Sequence, residues 1–124
     1  VPNQIKTTFS LIKELAPTIP LRTHLHNTRN TGLANAAAAV EVGVSIIDAS
    51  TGGIGGCPFA PKATGNIPTD DLLYMLDRSG IETGVNLKEI VKTTNWLENQ
   101  LGRSVPAMVP KAGIFPENAE INMQ

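Results

Sequence analysis

One stretch of this chain constrains the fold more than any other, because it indicates a strand, a helix and a second strand in close succession. Residues 19–26 alternate between apolar and polar side chains, which is typical of a strand. Residues 31–42 carry an alanine run and end before Gly43, as a helix does. Residues 44–47 are a short, largely β-branched run of the kind buried in parallel sheets. A βαβ unit of this size implies two parallel strands and a right-handed crossover, so the predicted fold class is α/β.

Three more helices are predicted outside this unit. The first opens the chain and stops at Pro17, the second is capped by Thr69 and ends at Gly80, and the third begins with a capping pair of Asn86 and Glu89 and ends at Gly102. The tail from residue 103 carries three prolines, and we expect it to be extended or poorly ordered.

The count of strands is too small for a complete α/β domain. Two parallel strands do not make a stable sheet with both faces covered, because such sheets need further neighbours. The chain has 124 residues and begins with Val1 rather than Met, with no signal-like stretch behind it. We therefore expect the C-terminal part of a larger α/β domain.

Composition excludes several classes of partner. Ten Lys and Arg against eleven Asp and Glu give a net charge of -1, which lacks the basic footprint of a nucleic-acid or anionic-membrane binder. The longest apolar run is interrupted by Glu41, far short of the roughly 20 residues that span a bilayer. A single Cys excludes an intrachain disulfide framework and fits a reducing compartment. We expect no nucleic-acid partner, no membrane partner and no secretion.

Two histidines end the first predicted strand. His24 and His26 lie two residues apart, so a strand places both imidazoles on one face, about 6 to 7 Å apart. They can be two surface or packed histidines, or they can converge on one metal ion. Their position favours the second interpretation, because ligands in parallel α/β folds bind at the carboxyl ends of strands.

A glycine-rich segment follows the second predicted strand. Residues 51–68 contain five glycines and show neither helical nor strand periodicity, and a loop of this length is often functional. Cys57 lies within it, behind Gly53, Gly55 and Gly56. This Cys can be a buried structural thiol, but a thiol on a loop after a strand end is open to chemistry. No Gly-Lys-Ser/Thr follows the glycines, so a phosphate-binding loop is not indicated.

Other polar residues allow two interpretations each. Asn66 is a common turn residue whose amide oxygen can also bind a hard cation. Asp48, at the end of the second strand, can support a histidine ligand or cap a loop. Asp70 and Asp71 are expected to complement the dipole of the helix that they open.

Taken together, six short motifs resemble the hydroxymethylglutaryl-CoA lyase family. They run in order along residues 20–103: THLHNT (23–28), GLAN (32–35), DAS (48–50), GIGGCPFAP (53–61), ATGN (63–66) and DLLYML (71–76). The resemblance implies a TIM (β/α)8 barrel, with residues 1–102 as the C-terminal part of the catalytic domain, including its last two strands, and 103–124 as a tail.

The resemblance also implies the chemistry. His24, His26 and Asn66 look like the ligands of a divalent metal, Mg²⁺ or Mn²⁺, with His24 also counted as catalytic. Cys57 looks like the catalytic thiol, and Gly53, Gly55 and Gly56 look like the substrate loop. The implied reaction is a retro-Claisen cleavage of an acyl-CoA substrate to acetyl-CoA and acetoacetate, as in leucine degradation and ketone-body formation. A homodimer and a location in the cytoplasm or in the mitochondrial or peroxisomal matrix are expected.

Part of the family pattern is missing from the sequence. The family carries an Arg-Asp-Gly segment on its first strand, and no arginine here stands in that context. We therefore expect the 124 residues alone to be inactive or nearly so. Two alternatives remain open at this point: a related Claisen-condensing synthase or aldolase, and a non-catalytic partial barrel that assembles with another chain. The loop Cys57 favours the lyase, whereas the small number of strands favours the assembly module.

Overall fold

The chain folds into two units, and the computed structural model describes residues 1–56, 59, 62 and 64–116 of it. The first unit comprises residues 1–49 and 55–67, and the second comprises residues 50–54 and 68–124. Cys57, for which the family resemblance implies the role of catalytic thiol, lies outside the described residues.

The first unit contains the predicted βαβ arrangement. Its elements are α1 (Pro2–Leu15), β1 (Arg22–His24), α2 (Gly32–Glu41) and β2 (Ile46–Asp48). The two strands pair in parallel, with Arg22 opposite Ile46 and His24 opposite Asp48. The predicted α/β class and the parallel pairing are confirmed in this part of the chain.

Both strands differ in extent from the prediction, and each difference has a physical cause. β1 is shorter than residues 19–26 because Pro20 has no N–H to donate to a ladder, and because residues 25–27 pair with residues 65–67 instead. β2 begins two residues late because the N–H of Val44 still donates to the carbonyl of Ala39 at the end of α2, at 3.0 Å.

A small apolar core holds the first unit together. Leu21, Ala39 and Val44 are buried, and Ile5 and Phe9 of α1 pack against them. The complete burial of Ala39 places a small side chain where α1 and α2 meet, so the two helices can pack closely beside the sheet.

The second unit is helical. It contains a 3₁₀ turn at Thr51–Gly53 and the helices α3 (Thr69–Arg78), α4 (Leu87–Leu101) and α5 (Val109–Ala112). Before α3, Pro68 pairs with Ser50 in an isolated parallel bridge, and the N–H of Thr69 donates to the carbonyl of Ser50 at 2.9 Å. Six of its described apolar residues are buried and form its interior: Leu72, Leu73, Leu76, Leu87, Val105 and Ala107.

The predicted helix caps are confirmed in part. Asn86 Oδ1 accepts a hydrogen bond from the N–H of Glu89 at 3.2 Å, as expected of a cap. The Glu89 carboxylate instead pairs with Lys92, at 2.6 Å. The predicted cap at Thr69 is wrong by one residue, because Thr69 is already helical and Pro68 occupies the capping position.

The segment after α4 is more ordered than its prolines suggest. Val105 and Ala107 are buried, and α5 follows at Val109–Ala112. The Asp71 carboxylate accepts the N–H groups of Met108 and Val109, at 3.0 and 2.8 Å, and so fixes the start of α5. Within the described ranges, no helix is both long enough and apolar enough to cross a membrane.

Candidate metal and catalytic site

The carboxyl ends of β1 and β2 place several polar side chains together in the first unit. His24 is the last residue of β1 and lies opposite Asp48, the last residue of β2. Arg22 lies two residues before His24, so the alternation of a strand puts both side chains on the same face. Thr23, between them, points the other way and is buried. The strand register therefore gathers an arginine, a histidine and an aspartate at one edge.

The three side chains form a chain of polar contacts. Arg22 Nε and Nη2 both donate to Asp48 Oδ1, at 2.8 and 2.7 Å. The other carboxylate oxygen, Oδ2, lies 3.2 Å from His24 Nδ1. The hydrogen bond from Arg22, followed in smaller part by the contact with His24, lowers the pKa of Asp48 and keeps it ionised. Asp48 therefore supports a histidine, which is one of its two sequence interpretations, rather than capping a loop.

The contact with Asp48 determines which nitrogen of His24 can act as a ligand. An ionised carboxylate only accepts hydrogen bonds, so Nδ1 must carry the proton in this contact. In the neutral ring, Nε2 then presents its lone pair. This pattern, in which a carboxylate holds the ring nitrogen that does not bind, is common at histidine metal ligands.

The ring of His26 is oriented in the same way, but by a backbone group. Its Nδ1 lies 3.0 Å from the carbonyl oxygen of Thr64, which only accepts, so Nδ1 again carries the proton. His26 also forms an isolated antiparallel bridge with Asn66. On either side, the N–H of Asn27 donates to the carbonyl of Gly65 at 3.1 Å, and the N–H of Ile67 donates to the carbonyl of Leu25 at 3.2 Å. This pairing sets Asn66 directly beside His26.

The two imidazoles are close enough to act together. Their ring centroids are 5.4 Å apart and the ring planes are inclined by 51°. With both Nδ1 atoms engaged, the two Nε2 atoms and the Asn66 amide oxygen are the donors that a divalent cation could use. Among the described residues there is no group of three or more His, Cys, Asp and Glu side chains that could hold a metal ion. Further ligands would have to come from outside this set.

The loop glycines have different surroundings. Gly55 has a φ of +94°, and a Cβ built on it would lie 2.8 Å from Asn66 Nδ2, so both the backbone and the space there favour glycine. Gly53 is buried and Gly56 is exposed. Gly55 is therefore the glycine in direct proximity to the candidate ligand Asn66.

Sequence reasoning missed three features of this site. Arg22 was not assigned to it, although its alternation with His24 was the available signal. The Thr64 carbonyl carries no side-chain signal, because any residue offers the same group. The third feature is Asn27, whose Oδ1 accepts the N–H of Gly32 at 3.1 Å and so fixes the start of α2.

Comparison with known proteins identifies the family to which this chain is related. The HMGL-like family model matches residues 1–97. An (R)-citramalyl-CoA lyase from Chloroflexus aurantiacus is 47% identical over 118 residues, which cover 94% of this chain and 37% of that enzyme. The human mitochondrial hydroxymethylglutaryl-CoA lyase is 40% identical over 111 residues, which cover 90% of this chain and 34% of that enzyme.

Solved structures agree with the sequence relatives. The structure of an HMG-CoA lyase from Acinetobacter baumannii in complex with coenzyme A and 3-methylmalate matches with a TM-score of 0.89 at 42% identity, over 96% of this chain and 39% of that chain. The chain therefore has the α/β fold of HMG-CoA lyase structures over the part of them that it covers. The chain belongs to the HMGL-like family. It spans little more than a third of the length of the relatives it matches.

Proposed function

We propose that this chain is the C-terminal part of a TIM-barrel carbon–carbon lyase of the hydroxymethylglutaryl-CoA lyase type. Residues 1–102 would supply the last two barrel strands and their helices. The enzyme would cleave an acyl-CoA substrate to acetyl-CoA and a keto acid, which is acetoacetate for hydroxymethylglutaryl-CoA. The observation that carries this proposal is the pair of histidines at the carboxyl end of β1, each with Nδ1 facing a hydrogen-bond acceptor, which leaves Nε2 as the ring nitrogen that would bind a metal.

The donor set fits a divalent metal. His24, His26 and Asn66 would hold it, and Mg²⁺ or Mn²⁺ is the expected ion. Such ions take about six ligands, so waters, the substrate or other parts of the polypeptide would complete the shell. When bound, the ion would lower the pKa of a coordinated hydroxyl and stabilise negative charge on a carbonyl oxygen.

The reaction needs a proton to be moved twice. A proton leaves the substrate hydroxyl, the carbon–carbon bond breaks, and its electron pair passes into the enolate of the acetyl thioester. That enolate then takes a proton on its terminal carbon. We assign this delivery to the Cys57 thiol, carried on the loop that contains Gly53, Gly55 and Gly56. The glycine at 55, next to Asn66, supports a loop that passes close to the ligand set.

A second substrate is supported by a specific observation. The (R)-citramalyl-CoA lyase is 47% identical to this chain, against 40% for the human hydroxymethylglutaryl-CoA lyase. Citramalyl-CoA would give the same acetyl-CoA product with a different keto acid, so the two candidate reactions use the same residues. The choice between them is made by comparing kcat/KM for the two thioesters.

The test uses the natural polypeptide that carries these residues at its full length, hereafter the complete polypeptide. Acetyl-CoA release is measured from hydroxymethylglutaryl-CoA and from citramalyl-CoA, with Mn²⁺, with Mg²⁺ and after treatment with a chelator. We expect metal-dependent release from at least one thioester. The variants His26→Ala and Cys57→Ala should each lower kcat by at least about 100-fold, in line with the loss of a metal ligand or an acid–base group.

Two controls sharpen the experiment. Lys6→Ala removes an exposed ion pair between α1 and Glu41 of α2 and should leave release unchanged. A chimera in which the aligned residues of this chain replace the matching segment of the Chloroflexus enzyme should also release acetyl-CoA. Full activity after Cys57→Ala, or release that survives chelation, would contradict the lyase assignment. A folded complete polypeptide with no release from either thioester would favour the assembly module.

A further inference from the structure

Arg22 has a position that the proposed reaction does not explain. Its guanidinium donates twice to Oδ1 of Asp48, through Nε and Nη2. Asp48 then presents Oδ2 to Nδ1 of His24. One carboxylate oxygen is therefore held by the arginine, and the other faces the histidine.

We propose that Arg22 is a positioning residue that acts through Asp48 to hold His24 with its proton on Nδ1 and its lone pair on Nε2. The part of this inference that concerns metal binding rests on the proposed function. The part that concerns the tautomer of His24 stands on the geometry alone.

The reason lies in the exposure of the contact. Arg22 and Asp48 have side-chain exposures of 65% and 30%, so water competes for the carboxylate. A single exposed hydrogen bond or ion pair contributes little, because its partners rotate freely. Two donors on one oxygen remove that freedom from Asp48, since a guanidinium is a rigid planar fork. Oδ2 is then fixed opposite His24 Nδ1.

His26 offers a matched comparison within the same molecule. Its Nδ1 faces the Thr64 carbonyl at 3.0 Å, and this backbone group lies next to the paired residues 65–67, so no side chain is needed to hold it. Loss of Arg22 should therefore change the state of His24 and leave that of His26 intact. A general loss of structure would change both.

The test reads the tautomers directly. The metal-free complete polypeptide, labelled with ¹⁵N at histidine, is studied by long-range ¹H–¹⁵N correlation NMR at alkaline pH. In the wild type, both histidines should carry the proton on Nδ1. In Arg22→Ala, His24 should shift towards the form protonated on Nε2, while His26 stays unchanged. In Arg22→Lys, His24 should show a state between those of the wild type and Arg22→Ala. The reason is that an ammonium group does not present two N–H donors in a planar fork to Asp48 Oδ1.

A binding measurement supplies the second readout. Titration calorimetry with Mn²⁺ should show an affinity about 10- to 100-fold lower for Arg22→Ala, the range typical when a group that orients a metal ligand is lost. Asp48→Ala should weaken binding at least as much. Lys6→Ala, which breaks another exposed ion pair of the same unit, should change neither the tautomers nor the affinity.

The inference is overturned if His24 keeps its proton on Nδ1 in Arg22→Ala, or if both histidines change together. A failure of the proposed lyase function is distinguishable from a failure of this inference. The tautomer experiment needs neither metal nor substrate, so an enzyme that releases no acetyl-CoA would still show the expected response of His24.

Discussion

The hydroxyl of Thr94 donates a 2.5 Å hydrogen bond to Asp70 Oδ1, and both side chains are fully buried. The other oxygen of Asp70 accepts the N–H of Gly52 at 2.8 Å. A buried carboxylate is tolerated only when its oxygens are satisfied. Asp70 therefore joins α3, α4 and the turn at Thr51–Gly53.

The first prediction concerns this hydrogen bond. Thr94→Val keeps the shape of the side chain but leaves Asp70 Oδ1 without its donor, so the free energy of unfolding should fall by about 1–3 kcal/mol. The neighbouring Thr93→Val is the control, because Thr93 is exposed and such changes stay within about 0.5 kcal/mol. Urea unfolding of the complete polypeptide measures both. Equal losses for the two variants would mean that the buried bond contributes nothing specific.

A second prediction concerns Gly32, at the start of α2. A Cβ there would meet the side chain of Ile67, and would lie 2.9 Å from the His26 carbonyl oxygen and 3.1 Å from Asn27 Oδ1. These neighbours belong to the pairing that holds Asn66 beside His26. Gly32→Ala should lower stability by about 1–3 kcal/mol through overpacking, and it should weaken Mn²⁺ binding.

Gly84→Ala is the matched control for that experiment. Gly84 has a φ of +72°, and a Cβ added to it would have no heavy atom of the described part of the chain within 4 Å. The substitution should therefore cost only about 1–2 kcal/mol of backbone strain and leave Mn²⁺ affinity unchanged. Thermal unfolding and calorimetry separate the two effects. Wild-type Mn²⁺ affinity in Gly32→Ala would show that the pairing does not depend on this close contact.

The third prediction concerns pH. Burial raises the pKa of Asp77, in the last turn of α3, above its ordinary value. Its Oδ2 is buried and has no hydrogen-bond partner among the described residues. Because the folded pKa exceeds the unfolded one, the contribution of this group to stability is complete below the unfolded pKa, about 3.9, and is lost as pH rises through the folded pKa.

Asp77→Asn removes that pH dependence. The variant should be more stable than the wild type at pH 7, and the difference should shrink as the pH falls towards 4. Denaturant unfolding over this pH range measures it, with the exposed Glu82→Gln as a control that should show no such trend. A difference that is constant with pH would rule out ionisation of Asp77 as its cause.

Local sequence signals predicted the elements of the fold and the parallel pairing of β1 with β2, but not the pairing of residues 25–27 with residues 65–67. The alternation around His24 and the β-branched run before Asp48 were enough to predict two parallel strands. The length of β1 was not predictable, because residues 25–27 pair with a segment some forty positions along the chain, at residues 65–67. Non-local pairing of this kind leaves no periodic trace in either segment.

In the candidate site, too, some features were predictable from the sequence and others were not. The spacing of His24 and His26 predicted that they lie on one face, and the rings are 5.4 Å apart. The groups that orient them were not predicted in full: one is a backbone carbonyl, and the other depends on Arg22. Asp70 and Asp71 do lie in the first turn of α3, as expected, but their carboxylates also bind backbone N–H groups of Gly52, Met108 and Val109. Side-chain identity alone does not reveal such tertiary partners.

The bridge between Ser50 and Pro68 has a consequence for how this family can diversify. It fixes both ends of the intervening segment by backbone pairing, which is independent of the side chains inserted between them. The entropy of closing a loop grows only logarithmically with its length, by about 0.6 kcal/mol for each doubling. Added length between the turn at Thr51–Gly53 and the paired residues 65–67 therefore costs little closure entropy, whereas changes to the buried Gly52 and Ile67 cost more. The length of this part of the chain can therefore change during evolution while the strands that precede it keep their register.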